Sequence, residues 1–194
     1  MANDVDPPVH PVHPQPDDKD WTWTLSRRCE QCGLSAGTIE VDEVADRLVV
    51  AAAEWVQILS SSPAVASRPA PGVWSALEYG AHVRDVLRLF DARFELMLLE
   101  NNPTFANWDQ DETARTAGYA DEDPDRVAEE LATAAAELIA RLRTVTADDL
   151  DRRARRSNGS EFTVRTLAQY LLHDVVHHLW DVTGQQDGAA SLLE

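Results

Sequence analysis

The sequence predicts an all-α protein, a four-helix bundle led by an extended N-terminal arm. Four segments carry apolar residues at helical spacing, and cap signals stand at their ends. No convincing strand pair, glycine-rich phosphate loop or internal repeat competes with that pattern. The 194 residues and a 44% hydrophobic share suit one domain with a real core. Seventeen basic residues against 34 acidic ones give a formal net charge of −17, which argues against nucleic acid or an anionic membrane as partner. No apolar run reaches the roughly 18–20 residues of a membrane span, and the N-terminus lacks a signal-peptide core. The expectation is a cytoplasmic protein.

In chain order, residues 1–20 hold five prolines among acids and histidines, and read as a flexible tail. Residues 21–39 form the arm. Its stretch Trp21-Thr22-Trp23-Thr24-Leu25 is aromatic and β-prone, so it is expected to dock extended. The arm also carries Cys29-Glu30-Gln31-Cys32-Gly33, with the chain's two cysteines. That spacing suits a metal half-site or a redox pair, with two packed thiols as the plain alternative. A zinc site needs two more donors, and His10 and His13 of the tail are available.

The bundle is expected over residues 40–184, with a tail over 185–194. Val41, Val44, Leu48, Ala51, Ala52, Trp55, Ile58 and Leu59 set the first helix at 40–59; the Pro69-Ala70-Pro71-Gly72 cluster follows its end. Ser75-Ala-Leu-Glu78 is a capping box, and Trp74 with Tyr79 fits a hydrophobic staple, so the second helix runs from there to about Glu100. Residues 101–122 show no period and read as a long loop. Asp123-Pro124 starts the third helix, with Val127, Leu131, Ala135, Leu138, Leu142 and Val145 on its stripe. A polar connection over 146–162 leads to Thr163, the cap of a last helix that stops at Gly184.

That last helix carries Leu171-Leu172-His173-Asp174-Val175-Val176-His177-His178-Leu179-Trp180-Asp181. His173 and His177 are four apart, so their Cβ atoms stand about 5–6 Å from each other, within reach of one metal ion. Apolar stripes flank them, so they point into a core, where they need a partner. His82 falls on the inner stripe of the second helix. If the second and last helices are antiparallel, His82 lies about 10 Å from its helix start, and His177 and His173 about 9 and 15 Å from their helix end. All three then meet near one end of the bundle, and three imidazoles leave positions open for water or substrate.

Trp74-Ser-Ala-Leu-Glu-Tyr-Gly-Ala-His82, followed by Leu172-His173-Asp-Val-Val-His177-His178, resembles the two metal motifs of the DinB superfamily. The resemblance spans roughly residues 40–184 and implies a four-helix bundle in up-down-down-up order. It implies a divalent ion on His82, His173 and His177, with His178 as a substitute ligand pointing about 100° away. Tyr170, Asp174, Trp180 and Asp181 are candidates to line the pocket or orient the ligands. The metal it implies is zinc first, with nickel or iron as alternatives. Relatives of this kind include mycothiol- and bacillithiol-dependent S-transferases and maleylpyruvate isomerase. The implied function is transfer of a mycothiol-like thiol to an electrophile through a metal-bound thiolate. The alternative is a non-catalytic, stress-associated bundle that binds metal or a small molecule. The expected partner is a small-molecule substrate, with a homodimer as the candidate self-association.

Overall fold

The computed structural model describes residues 20–186. Its helices begin where the cap residues stand. The bundle is built from α1 (Val41–Leu59), α2 (Ala76–Leu99), α4 (Pro124–Leu142) and α5 (Val164–Thr183). Ser75 accepts the Glu78 N–H while the Glu78 carboxylate accepts the Ser75 N–H, and Thr163 and Thr166 exchange the same pair of bonds. Each cap satisfies amides that a helix start leaves without partners. Trp74 closes on Tyr79 at a ring separation of 5.4 Å, as the staple requires. Gly184 stops α5 at φ 68°, a conformation that favours glycine, and donates its N–H to the Trp180 carbonyl.

Contacts along the helices give their directions. Arg84 pairs with Glu122 and Glu130 near the start of α4, and Arg141 pairs with Asp91 further along, so α2 and α4 run parallel. Gln169 donates to the Ile39 carbonyl before α1, and the Trp55 indole donates to Val175, so α1 and α5 run parallel. Tyr79 meets His178 while Phe90 stacks on Tyr170, so α2 and α5 are antiparallel. The order is up-down-down-up, as expected. Among the described residues no helix is long and apolar enough to cross a membrane.

Three segments depart from the sequence reading. Strands do form: β1 (Thr104–Phe105) pairs parallel with β2 (Arg153–Arg156), which pairs antiparallel with β3 (Glu161–Thr163). Ala154 and Phe162 face each other in the core, flanked by the exposed Arg153, Arg155 and Glu161 and the half-buried Thr163. The strands are short and mostly charged, so alternation is hard to see; Asn158-Gly159, with Gly159 at φ 98°, is the readable turn. The expected loop over 101–122 contains β1, a short helix α3 (Gln110–Ala117) and a 3-10 turn at Tyr119–Asp121. The Tyr119 hydroxyl donates to Asp85 at 2.6 Å and fastens this segment to α2.

The arm is the third departure. Trp21–Leu25 coils into a 3-10 turn instead of extending. Asp20 caps it by accepting the Thr22 N–H, and the Thr24 hydroxyl donates to the Trp21 carbonyl at 2.8 Å. Such local bonds outcompete strand formation where no neighbouring strand offers a ladder. The arm then lies on α5, with Gln169 donating to the Gly37 and Ile39 carbonyls. Gly37 passes so close to Leu25 that a Cβ there would meet its carbonyl oxygen at 1.9 Å. Cys29, Cys32, Leu34, Ala36 and Ile39 belong to the same buried cluster as the bundle helices.

Candidate metal centre

Helix α5 carries two donor pairs at i,i+4 spacing, His173 with His177 and Asp174 with His178. One residue of offset turns the second pair about 100° around the axis from the first. The pairs therefore face different neighbours. His82 of α2 meets Asp174 and His178, whereas His173 and His177 meet Cys29 and Cys32 of the arm. The three histidines that the sequence reading gathers at one ion are thus divided between two clusters, each with donor atoms within 4.8 Å of one another.

In the first cluster, His82 Nε2 lies 3.6 Å from Asp174 Oδ1, and His178 Nε2 lies 3.7 Å from the same oxygen. These separations are too long for hydrogen bonds and close to those of donors sharing one ion. Both His82 ring nitrogens and Asp174 Oδ1 are buried without a hydrogen-bond partner among the described residues. Buried polar atoms are costly to leave so, and His82 Nε2 with Asp174 Oδ1, close together and beside His178 Nε2, fit a cation. Burial pushes the His82 pKa down, so the ring is a neutral electron-pair donor at neutral pH. Burial opposes ionisation of Asp174, but the neighbouring His82 and His178 outweigh it and hold the carboxyl below its ordinary value. His178 donates from Nδ1 to Asp181 at 2.8 Å, which turns its Nε2 lone pair toward Asp174. His82 itself is held between Trp74 and Trp108, stacked on Trp108 at 5.3 Å and 11°.

The second cluster is more deeply enclosed: Cys29 and Cys32 are each 1% exposed, His173 3% and His177 6%. Cys29 Sγ stands 3.6 Å from His177 Nδ1. Both thiols are free. Burial pushes the Cys32 thiol up to about 12; the Leu34 amide works against the rise and the neighbouring Cys29 adds to it. Burial and then His177 push His173 down to about 4. The Trp21 ring packs tilted against both imidazoles, at 5.6 Å from His173 and 4.9 Å from His177. His10 and His13, the tail donors raised by the sequence reading, lie outside the described residues.

A cleft of about 1160 Å³ opens beside these clusters, lined by Tyr170, His173, Asp174, His177, His178 and Asp181 from α5, Trp74 and Tyr79 from α2's entry, and Trp21 from the arm. Trp180, expected in the pocket, does not line it and packs on His177 at 5.5 Å. Three residues matter more than the sequence suggested. Trp108 sits in the segment without period. Arg156, in the polar connection before the last helix, turns inward over Phe162 and Tyr170. Arg93 is buried on Phe90 and Phe105, and burial and then Arg156 push it down to about 10. The Nε atoms of Arg93 and Arg156 have no hydrogen-bond partner, and neither residue forms an ion pair among the described residues. Both line a small recess of about 60 Å³ that Asp174 also reaches.

The model of the DinB superfamily matches residues 53–182. Among solved structures, the chain is similar to YfiT from Bacillus subtilis, described as a probable metal-dependent hydrolase with an unusual four-helix bundle topology. The TM-score is 0.66 at 21% identity, covering 74% of this chain and 84% of that one, which supports the fold. The comparison with curated proteins finds no match.

Proposed function

The chain belongs to the DinB superfamily, and from that premise we propose a divalent-metal-dependent enzyme that transfers a low-molecular-weight, mycothiol-like thiol to an anionic electrophile. The observation that carries the metal is the convergence of His82 Nε2, Asp174 Oδ1 and His178 Nε2 beside the cleft, two of them buried without partners. Two imidazoles and one carboxylate suit zinc, nickel or iron(II). A bound ion would supply Lewis acidity, lowering the pKa of a thiol brought against it.

The chain's own residues do the rest. Asp181 orients His178, while Trp74 and Trp108 hold the His82 ring in place. Arg93 and Arg156 place two cations at a recess shared with Asp174, which fits the carboxylate or phosphate of an electrophile in a chain of net charge −17. Aromatic walls and a cleft of this size suit a thiol of several polar groups lying next to its acceptor.

The test is to incubate metal-loaded protein with a small thiol and a panel of anionic electrophiles, following thioether formation. The reaction should disappear on chelation and in His82→Ala, and KM should rise in Arg156→Ala. Consumption of the electrophile with water in place of the thiol would replace transfer by hydrolysis. Metal binding without turnover would leave a non-catalytic metal- or small-molecule-binding bundle.

A further inference from the structure

The proposed enzyme site uses neither the cysteines of the arm nor the two histidines beneath them. We propose that Cys29, Cys32, His173 and His177 hold one zinc ion in a closed, structural site that pins the arm to α5. The donor set is two thiolates and two imidazoles, the composition of four-coordinate structural zinc. One ligand atom from each residue lies within 4.8 Å of all the others. Bonds of about 2.3 Å to sulfur and about 2.0–2.1 Å to nitrogen set neighbouring tetrahedral corners roughly 3.5–3.6 Å apart. Cys29 Sγ and His177 Nδ1 stand at 3.6 Å.

The backbone around the cysteines is shaped for such a site. Gly33 takes φ 83° and donates to the Cys29 carbonyl at 2.9 Å, while the Cys29 N–H donates to Leu34 at 2.9 Å. The turn brings both sulfurs to one side. Below it, His173 Nε2 is buried with no hydrogen-bond partner among the described residues, an orphan that an ion would satisfy. A redox pair would have to admit a partner thiol, but Cys29 and Cys32 are each 1% exposed. His173 and His177 border the cleft, but with all four donors supplied by protein side chains the ion has no corner left for a substrate. Its consequence is architectural. Asp20, Trp21 and Gln31 of the arm line the cleft, so the ion ties one cleft wall to the helix that carries the enzyme's ligands.

The experiment uses the full chain, expressed in zinc-supplemented medium and purified without a metal-affinity step. Bound zinc should fall by one equivalent in Cys29→Ser/Cys32→Ser, while His82→Ala should keep the cysteine-site ion whatever it loses at the cleft. Wild type reconstituted with cobalt(II) should show thiolate-to-cobalt charge-transfer absorption with tetrahedral visible bands, retained in His82→Ala. Zinc content unchanged in the cysteine variant would overturn the proposal. Cobalt-loaded wild type without charge-transfer absorption would also overturn it, and that reading needs no variant to fold. Loss of metal from His82→Ala alone bears on the enzyme site, so the two proposals fail separately.

Discussion

His173 and His177 face the arm's cysteines; Asp174 and His178, each one residue further on, face His82 of α2, and all four border the cleft. The same spacing on the same helix thus builds two centres of different character. Around the first pair lie two cysteines and no open corner, and every donor is buried. Around the second lie a single histidine, a carboxylate and a cleft with two arginines at its recess. Ligand type follows from the neighbours: thiolates close a shell that holds shape, whereas a mixed nitrogen and oxygen shell with open positions admits a reactant. What separates the proposed structural centre from the proposed catalytic one is a rotation of about 100°, one residue along a helix.

The comparison breaks most cleanly through Asp174. Removing its charge should strip the cleft-facing centre while leaving the cysteine centre loaded. Asp174→Asn is expected to lower kcat/KM by about 1000-fold or more, since a metal's charge stabilisation is worth several kcal/mol. Steady-state kinetics beside a metal count would check it; full activity at reduced metal would dissociate the two. Next in size is stability. Cys29→Ser/Cys32→Ser should cost about 4 kcal/mol, the range associated with losing a structural metal. At roughly 2–4 °C per kcal/mol for a chain of this length, the thermal midpoint should drop by about 10 °C. Asp174→Asn should move it far less, and equal shifts in calorimetry would erase the proposed distinction.

The two centres also differed in how readable they were. The bundle was legible because caps and stripes state it locally: Ser75 with Glu78, Asp123 with Pro124 and Thr163 all begin helices. His82, His173 and His177 were recognisable as buried donors. Their grouping was not, because axial depth and i,i+4 spacing fit both His173/His177 and Asp174/His178, and the choice is made by what packs opposite. The needed signal lay in combining Cys29-x-x-Cys32 with His173-x-x-x-His177, a complete zinc set split by more than 140 residues. Trp108, and which arginine of the run Arg152–Arg156 turns inward, stayed hidden for another reason: a strand of two residues and one of four leave too little period to show it.

A smaller effect tests how the open centre is oriented. Asp181→Asn keeps the size of the side chain but weakens its grip on the His178 Nδ1–H. Metal affinity at the cleft site should fall by about 10–100-fold, the usual cost of losing such a support. The cysteine centre should be unmoved. Competition with a chromophoric chelator resolves the two affinities, and an equal loss at both would mean that the whole helix had shifted.

The smallest expected effect begins one turn before His82. Glu78 accepts the Ser75 N–H at 2.8 Å and pairs with Arg68, closing the start of α2. Burial works against its ionisation, but Arg68 and the Ser75 bonds outweigh it and hold the carboxyl below its ordinary value of 4.5. A carboxyl with a depressed folded pKa adds stability that is fully present above the unfolded value and lost as pH falls through the folded one. Glu78→Gln should therefore cost about 1–2 kcal/mol near neutral pH, combining a lost charge-assisted bond with a weakened cap. The gap between variant and wild type should close in acid below pH 4.5. Denaturant unfolding at several pH values measures it, and a gap independent of pH would show that the cap alone, without the carboxylate's charge, sets the position of His82. Because α2 contributes no donor to the cysteine centre, the same variant should leave that centre's zinc in place.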